Sequence, residues 1–283
     1  CNIHHNTSDS TGAGVLMFSG TVRNTRICDN ESTGATGGGV RALSGTYRLE
    51  NCLIARNRAL QDGGGCHLQS VGSDRQALTL HCTVANNVVS YRGGGAYSST
   101  LYNSIVWENA TTGGNSYGNV YSSSTYASST SQDPQFVSSE DGDYRLRTGS
   151  PCLGAGDVSH VLDATDFAGA ARLTDGSVNI GAHEGSVDGF VLKTTVIGSG
   201  IVEPAYAVVA EGGDVVFTPT VVDRAFLGFS LDGVNVLEGT NYVWQNVTAD
   251  GRLYVHFSTD LYVDAGQADD TGDGTTWKTA KRT

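Results

Sequence analysis

The sequence contains few basic residues. Among its 283 residues, 17 lysines and arginines stand against 29 aspartates and glutamates, which gives a formal net charge of −12 at pH 7. A protein that binds nucleic acid through its phosphates needs a basic surface, so this composition excludes nucleic acid as a partner. We interpret the acidic surface as a source of solubility, with binding of divalent cations as the more specific alternative.

Long apolar segments and closely spaced cysteines are also missing. No run of about 18 apolar residues occurs, which excludes a transmembrane helix. None of the 6 cysteines belongs to a Cys-x-x-Cys motif, which argues against a zinc site. The sequence has 4 prolines and 1 methionine but 38 glycines, and this favours many short strands joined by tight turns. It begins at Cys1 without a visible signal peptide, so we expect an upstream part to be missing.

A nine-residue pattern recurs through the first part of the chain. It consists of an apolar residue, any residue, Asn, Cys, any residue, Ile, two further residues and a final Asn, with substitutions at several positions. The copies are Val22–Asn30, Leu49–Asn57, Thr79–Asn87 and Leu101–Asn109, and the chain opens within a partial copy, Cys1–Asn6. Glycine clusters follow the copies at nearly constant offsets, beginning with Gly12 and Gly14 and returning at 37–39, 63–65 and 93–95.

One unit of about 25 residues is too short for a βαβ crossover, which needs about 30. It fits one coil of a β-solenoid with three short strands and three turns, in which successive coils stack at about 4.8 Å. We therefore predict an all-β fold in which residues 1–186 form a right-handed parallel β-helix (solenoid). The predicted interior aliphatic column is Ile3, Ile27, Ile54, Val84 and Val106. The predicted column of stacked amides is Asn6, Asn30, Asn57, Asn87 and Asn109.

Small residues share a further column of the repeat. Its members are Cys1, Thr25, Cys52, Cys82 and Ser104. We predict buried free thiols here, with a disulfide between Cys52 and Cys82 on adjacent coils as the alternative. The cysteines therefore leave the redox compartment open.

A different kind of sequence follows the repeats. Its motifs, in order, are Asp133–Val137, Asp143–Asp157, Asp166–Arg172 and Val178–Glu184. Over residues 133–184 they resemble the choice-of-anchor Q segment that follows β-helix coils in secreted bacterial proteins.

This resemblance has two departures, since the family usually has a Tyr near His183 and an Asp near Asn179. It implies export and attachment to the cell surface. We therefore expect the protein to be extracellular or at the surface of a bacterium. The anchor itself is not visible in the sequence.

Residues 187–259 differ in character from what precedes them. Apolar and polar residues alternate in Phe190–Val196 and in Asp214–Pro219, and we expect a final strand at Arg252–Phe257. Three segments resemble a divergent internalin B-repeat module, a small β-rich spacer of extracellular bacterial proteins. They are Gly198–Pro204, Ala210–Asp214 and Phe226–Ser230. That family usually has Trp where Phe229 stands, and an unrelated small β domain is the alternative.

Residues 260–283 resemble the opening of another β-helix of the same family. The segments that carry the resemblance are Leu261–Gly266 and Thr271–Ala280. We predict that the chain is roughly one period of a longer array of solenoid, spacer and solenoid, with further copies of its own repeat as partners. An arbitrary boundary is the alternative.

The same terminal segment contains the clearest metal-binding pattern. Asp269, Thr271 and Asp273 have the spacing of ligands in a calcium loop, but Ala280 stands where a bidentate Glu is expected. We favour a capping turn at this position. Calcium is the one cofactor that the sequence leaves open.

Other candidates for chemistry lie in the coils. His4, His5, His67 and His81 are candidate metal ligands, but His81 replaces an Asn of the repeat, which favours a structural turn. The arginines are scattered and typical of a solvated face; they are Arg23, Arg26, Arg41, Arg56, Arg58 and Arg92. The carboxylates form no recurring pair of the kind that glycoside hydrolysis needs, although adjacent coils could assemble one. They are Asp9, Asp29, Glu31, Glu50, Asp62, Asp74 and Glu108.

Together these observations predict an extracellular structural or adhesin-like surface scaffold with glycan or protein partners at the cell surface. The first alternative is a carbohydrate-active β-helix, namely a polysaccharide lyase, a glycoside hydrolase or a glycan-binding module. The second is a self-assembling fibre subunit. We name no catalytic residue, and the sequence favours a non-enzymatic role. A surface cleft with Asp, Glu and Arg clustered across several coils would favour the carbohydrate-active alternative.

Overall fold

The computed structural model describes residues 1–43, 45–68, 77–114, 118–121, 125–222 and 224–258. The chain divides into two compact units, Cys1–Val187 and Asp188–Thr283. The predicted calcium ligands Asp269, Thr271 and Asp273, and the predicted second β-helix at 260–283, lie outside the described residues. Within the described ranges, no helix is long and apolar enough to cross a membrane.

The first unit is a β-solenoid built from four parallel sheets, and each coil contributes one strand to each sheet. Sheet A consists of β1 (Asn2–His4), β5 (Arg26–Cys28), β9 (Leu53–Ala55), β13 (Thr83–Ala85) and β17 (Ile105–Trp107). Sheet B consists of β2 (Thr7–Ser8), β6 (Glu31–Ser32), β10 (Arg58–Ala59), β14 (Val88–Val89) and β18 (Ala110–Thr111). Sheet C consists of β3 (Val15–Met17), β7 (Val40–Ala42), β11 (Cys66–Leu68), β15 (Ala96–Tyr97) and β19 (Val120–Tyr121). Sheet D consists of β4 (Gly20–Arg23), β8 (Tyr47–Glu50), β12 (Ala77–Leu80), β16 (Thr100–Tyr102) and β20 (Thr125–Ala127).

The coil therefore has four strands, and the prediction of three was wrong. The missed strand belongs to sheet B, where each member contains only two residues, such as Glu31–Ser32. Two residues cannot show a period-two alternation, so nothing in the residue pattern marks them as a strand. The predicted all-β solenoid of stacked parallel strands is confirmed.

The interior of the solenoid is filled by one aliphatic residue from each coil of sheet A. The strand register pairs Ile3 with Ile27, Ile27 with Ile54, Ile54 with Val84 and Val84 with Val106. The last four of these side chains are fully buried and belong to one apolar cluster with residues of sheets C and D. Burying such a side chain contributes roughly 1.5–3 kcal/mol to the free energy of folding. Because the neighbouring coils provide that burial, each coil depends on its neighbours for stability.

Left-handed backbone bends each coil where sheet A begins and ends. Asn51 and Asn103, which follow sheet D, have φ values of +50° and +46°. Arg56 and Glu108, which follow sheet A, have values of +55° and +51°. Asn tolerates this conformation better than most residues, which explains one of the two asparagine positions in the repeat.

The second asparagine position forms a ladder of hydrogen bonds along the solenoid. Asn57 shows its pattern, because its Oδ1 accepts from the backbone amide of Asn30 at 3.1 Å and from Asn30 Nδ2 at 2.9 Å. Its own Nδ2 donates to Asn87 Oδ1 at 2.9 Å and to the Ile27 carbonyl at 2.8 Å. Equivalent bonds join Asn6 to the start of the ladder and Asn109 to its end. Each amide thus satisfies polar groups of two coils that are buried from water.

A column of glycines allows the asparagine amides to pack this closely. A Cβ atom added to Gly65 would lie 2.5 Å from the Gly95 carbonyl oxygen and 2.9 Å from Asn87 Nδ2. In the last coil, Asn119 stands in this glycine column, since it precedes the Val120 that pairs with Ala96. Its Oδ1 accepts two bonds of 3.1 Å from Asn109. The ladder therefore ends at Asn119, an asparagine of the glycine column and not of the repeated Asn position.

A parallel ladder runs through the column of small residues. The backbone amide of Cys52 donates to Cys82 Sγ at 3.4 Å, and the amide of Cys82 donates to Ser104 Oγ at 3.1 Å. Ser129 continues the series by accepting from the Ser104 amide at 2.9 Å. All six cysteines are free and five are buried, so the structure contains no Cys52–Cys82 disulfide. Burial raises the pKa of the Cys66 thiol to about 12.

Residues 133–187 cover the outer face of sheet A, which is itself apolar. The cover contains the antiparallel pair β21 (Phe136–Ser138) and β22 (Asp143–Leu146), and the 3-10 helices Ser139–Asp141 and Val158–His160. Its aromatic and aliphatic residues form two clusters with the outward side chains of sheet A. They are Phe136, Tyr144 and Phe167 against Cys28, Leu53, Ala55 and Ala85, and Leu146, Cys152 and Ile180 against Ile105 and Trp107.

The second unit is a small β module with two sheets. Its strands are β23 (Phe190–Ile197), β24 (Ile201–Glu203), β25 (Tyr206–Val209), β26 (Val215–Thr220), β27 (Phe226–Ser230), β28 (Tyr242–Trp244) and β29 (Gly251–Phe257). One sheet has the order β25-β23-β29-β27, in which β23 and β29 pair in parallel, and the other has the order β24-β26-β28. Its core includes the buried side chains of Leu192, Phe217, Phe229, Leu253 and Phe257. The alternation noted at Phe190–Val196 corresponds to β23.

The asparagine ladder makes a testable prediction about stability. Asn57→Ala should lower the free energy of unfolding by about 2–4 kcal/mol, because it removes the acceptor of the buried Asn30 backbone amide and the side-chain bonds from Asn57 to Asn87 and Ile27. Asn6→Ala in the same column should cost less than about 1 kcal/mol, because Asn6 is exposed. Urea denaturation followed by far-UV circular dichroism measures both. Equal losses in the two variants would contradict the ladder's role.

The thiol column makes a second prediction. In the native protein, 5,5′-dithiobis(2-nitrobenzoate) should react promptly with the exposed Cys1 and not with the five buried cysteines. In denaturant without reductant, all six thiols should react. Reaction of only four would show that one disulfide had formed, and peptide mapping would test whether it joins Cys52 to Cys82.

Candidate functional site

An open groove of about 300 Å³ lies where the chain leaves the last coil of the solenoid. We call it the Trp107 groove. One wall comes from residues 107–108 at the end of β17, and the other comes from the segment 133–147, which contains β21 and β22. The residues that line it are Trp107, Glu108, Asp133, Gln135, Phe136, Ser139 and Arg147. It combines two aromatic rings, two carboxylates, an amide and a guanidinium in one depression, which is a composition suited to a ligand site.

Trp107 is placed in the groove by the register of sheet A. It pairs with Ala85, and so it occupies the outward column that holds Cys28, Ala55 and Ala85 in the three preceding coils. It packs against the cluster of Ile105 and Leu146 and is half-buried. A bulky indole therefore replaces alanine at the coil where the cover begins.

The carboxylates of the groove are held by hydrogen bonds. Glu108 Oε2 accepts from Asn86 Nδ2 at 3.1 Å and from Ser139 Oγ at 3.2 Å. Asp133 Oδ1 accepts from the backbone amide of Gln135 at 2.8 Å. The second oxygen of each carboxylate has no hydrogen bond with the described residues. Both groups can therefore accept hydrogen bonds from a ligand without first being ordered.

A second polar cluster ties the cover to the coils. Arg172 is almost fully buried and pairs with Glu184 at 2.8 Å, while its guanidinium also donates to Asn51 Oδ1 and to the carbonyl of Gly181. Burial raises the pKa of Glu184, against the opposing effect of Arg172. Because every polar partner is internal to the protein, we assign this cluster a structural role.

Asn103 makes a similar connection at the next coils. Its Nδ2 donates to the Asp157 carbonyl and its Oδ1 accepts from the Asp157 amide, both at 2.8 Å. Asn51 likewise donates to Asp163 Oδ2 at 3.0 Å. The sequence marked these asparagines as turn residues, and their second role as attachment points of the cover was missed.

His4 and His5 are neighbours, with their Nδ1 atoms 2.7 Å apart, but His67 and His81 lie in other parts of the coils. His81 is buried and lies at a left-handed turn, where its Nε2 is 3.2 Å from Asn103 Nδ2. Burial, aided by the charge of Arg172, lowers its pKa to about 4. His67 is buried elsewhere and packs against Tyr97 with the ring centroids 4.2 Å apart and the ring planes tilted by 34°. Among the described residues, no group of three or more His, Cys, Asp or Glu side chains could hold a metal ion.

The coil arginines do not form a simple solvated face. Arg56 binds Asp29 through two bonds of 2.8 Å, and Arg92 binds Asp62 at 3.0 Å, each across adjacent coils. Similar ion pairs join Arg23 to Glu50 and Arg58 to Glu31. Arg41 is buried rather than solvated. The partners are a whole coil apart in sequence, which is why local inspection did not pair them.

Comparison with known proteins found no protein family, no curated protein and no solved structure that matches the chain. The solenoid and its groove therefore rest on the geometry described above. The resemblance of residues 133–184 to the choice-of-anchor Q segment, and that of residues 187–259 to an internalin B-repeat, stay predictions.

The buried imidazole of His81 predicts a pH dependence of stability. Its pKa is about 4 in the folded protein and about 6.5 in an unfolded chain. The folded state binds fewer protons, so the stability that His81 contributes is present above pH 6.5 and is lost as the pH falls towards 4. His81→Asn restores the residue found at Asn51 and Asn103, and should reduce the fall in urea midpoint between pH 7 and pH 4.5.

His4→Asn serves as the control, because His4 is exposed. It should leave the pH dependence of the urea midpoint as it is in the unaltered protein. An unchanged pH dependence in His81→Asn would contradict the assignment.

Proposed function

We propose that the protein is an extracellular, adhesin-like structural scaffold of a bacterial cell surface. In this proposal the solenoid is a stiff element and the small β module is a spacer between such elements. The asparagine ladder carries the proposal, since it is continuous through the coils and makes each coil depend on its neighbours. Stacked repeats of this kind provide an extended surface more readily than a catalytic pocket.

The charges of the coils support the same function. Asp29, Glu31, Glu50 and Asp62 each pair with an arginine on an adjacent coil. These carboxylates therefore form ion pairs that join adjacent coils. Single pairs of this type contribute little at an exposed site, but a series along the solenoid opposes the separation of each coil from the next.

A carbohydrate-active function is the second candidate, and the Trp107 groove favours it. The groove places Glu108 and Asp133 beside an aromatic ring and near the guanidinium of Arg147. The groove thus combines Asp, Glu and Arg, although Asp133 and Arg147 follow the coils and the cluster expected from the sequence would span several coils. Binding of a glycan is compatible with a scaffold, whereas turnover of a glycan is not.

Two measurements test the scaffold proposal. Fractionation of the source cells with an antibody should locate the protein at the cell surface or in the medium. Incubation with a panel of neutral and acidic polysaccharides should release no new reducing ends or unsaturated products. Turnover that disappears in Glu108→Gln or Asp133→Asn would replace the scaffold with an enzyme, and a cytoplasmic location would also contradict it.

A further inference from the structure

The Trp107 groove exists because sheet A ends while the chain continues. Thr130 pairs with Ile105 through an isolated bridge, which starts a further layer on sheet A. The chain then passes through Asp133 and Pro134 into β21 instead of completing that layer. Among the described residues, no strand residue pairs with Trp107 on the side away from Ala85. The open groove is thus a consequence of where the coils stop.

The chemical groups of the groove suit a ligand with both an apolar face and many hydroxyl groups. An indole stacks on the C–H face of a ring, and the desolvation of that face supplies binding energy. Carboxylates accept strong hydrogen bonds from hydroxyl donors. Glu108 and Asp133 are already oriented by Asn86, Ser139 and Gln135, which lowers the entropic cost of binding.

The charge of the groove restricts the class of ligand further. Two carboxylates and one guanidinium line the groove, and Arg147 donates to the carbonyls of Phe136 and Val137 at 3.3 and 3.1 Å. A sugar that carries its own carboxylate would be repelled by Glu108 and Asp133. The groove therefore favours uncharged sugars over uronic acids.

We propose that the Trp107 groove binds a neutral oligosaccharide, with one sugar ring stacked on Trp107 and its hydroxyl groups bound by Glu108 and Asp133. This goes beyond the scaffold function, which requires no ligand at this position. A volume of about 300 Å³ accommodates one or two sugar rings. The solenoid then serves to present the groove on a rigid support.

Titration of the full chain with neutral and acidic oligosaccharides tests the proposal. The neutral panel contains hexamers of glucose in α and β linkage, of mannose and of xylose, and the acidic panel contains oligogalacturonate and oligomannuronate. Isothermal titration calorimetry should detect binding of at least one neutral hexamer and of no acidic one. Binding should also change the fluorescence of Trp107.

Substitutions locate the binding site. Trp107→Ala should weaken binding by at least about tenfold, and Glu108→Gln and Asp133→Asn should each weaken it measurably. Trp107→Phe keeps an aromatic ring in the packed cluster, so it should fold normally, retain weak binding and lose the fluorescence change. Tyr91→Ala and Asp9→Asn are matched controls, since each removes an exposed aromatic or acidic group of the coils outside the groove. Neither control should alter binding.

Four results would overturn the proposal. They are binding of no neutral hexamer at millimolar concentration, binding of acidic oligosaccharides alone, affinity unchanged in Trp107→Ala, and calcium binding in the absence of sugar that depends on Glu108 and not on Trp107. None of the four affects the scaffold proposal, which fails instead by its own location and turnover measurements.

Discussion

The separation between hydrogen-bonded strands governs the whole of the first unit. Parallel strands in register place each residue directly over its counterpart, so a side chain must be compatible with a copy of itself about 4.8 Å away. Isoleucine and valine meet this condition by packing. Asparagine meets it by donating from its Nδ2 to the Oδ1 of the asparagine in the next coil. The glycine column follows from the same condition, because Gly65 faces both a glycine carbonyl and an asparagine amide.

Features that repeat could be predicted from the sequence, because repetition reveals the register. The positions expected to stack, such as Ile27 with Ile54 and Asn57 with Asn87, are those that the structure pairs. The strand of sheet B was missed because two residues carry no periodicity. The closing of the ladder by Asn119 was missed because that asparagine lies outside the repeated motif.

Features that do not repeat could not be predicted in this way. The Trp107 groove joins residues of the last coil to Asp133 and Arg147, which follow the repeats and share no spacing with them. The cover was recognised as a distinct segment, but its packing against the outer face of sheet A depends on the apolar residues that alternate with the interior ones, such as Leu53 and Ala55. In strands of three residues, that alternation is too short to show from the sequence that both faces of sheet A are buried.

The connection between sheets C and D is the part of the coil whose length varies most. Two residues separate the strands of sheets C and D in the first coil, four in the second and eight in the third, while the asparagine ladder continues without interruption. Sequence can therefore be inserted at this corner without breaking the ladder. The solenoid offers a row of such permissive positions, one for each coil, at which natural variation or a grafted peptide epitope would be carried on an unaltered framework.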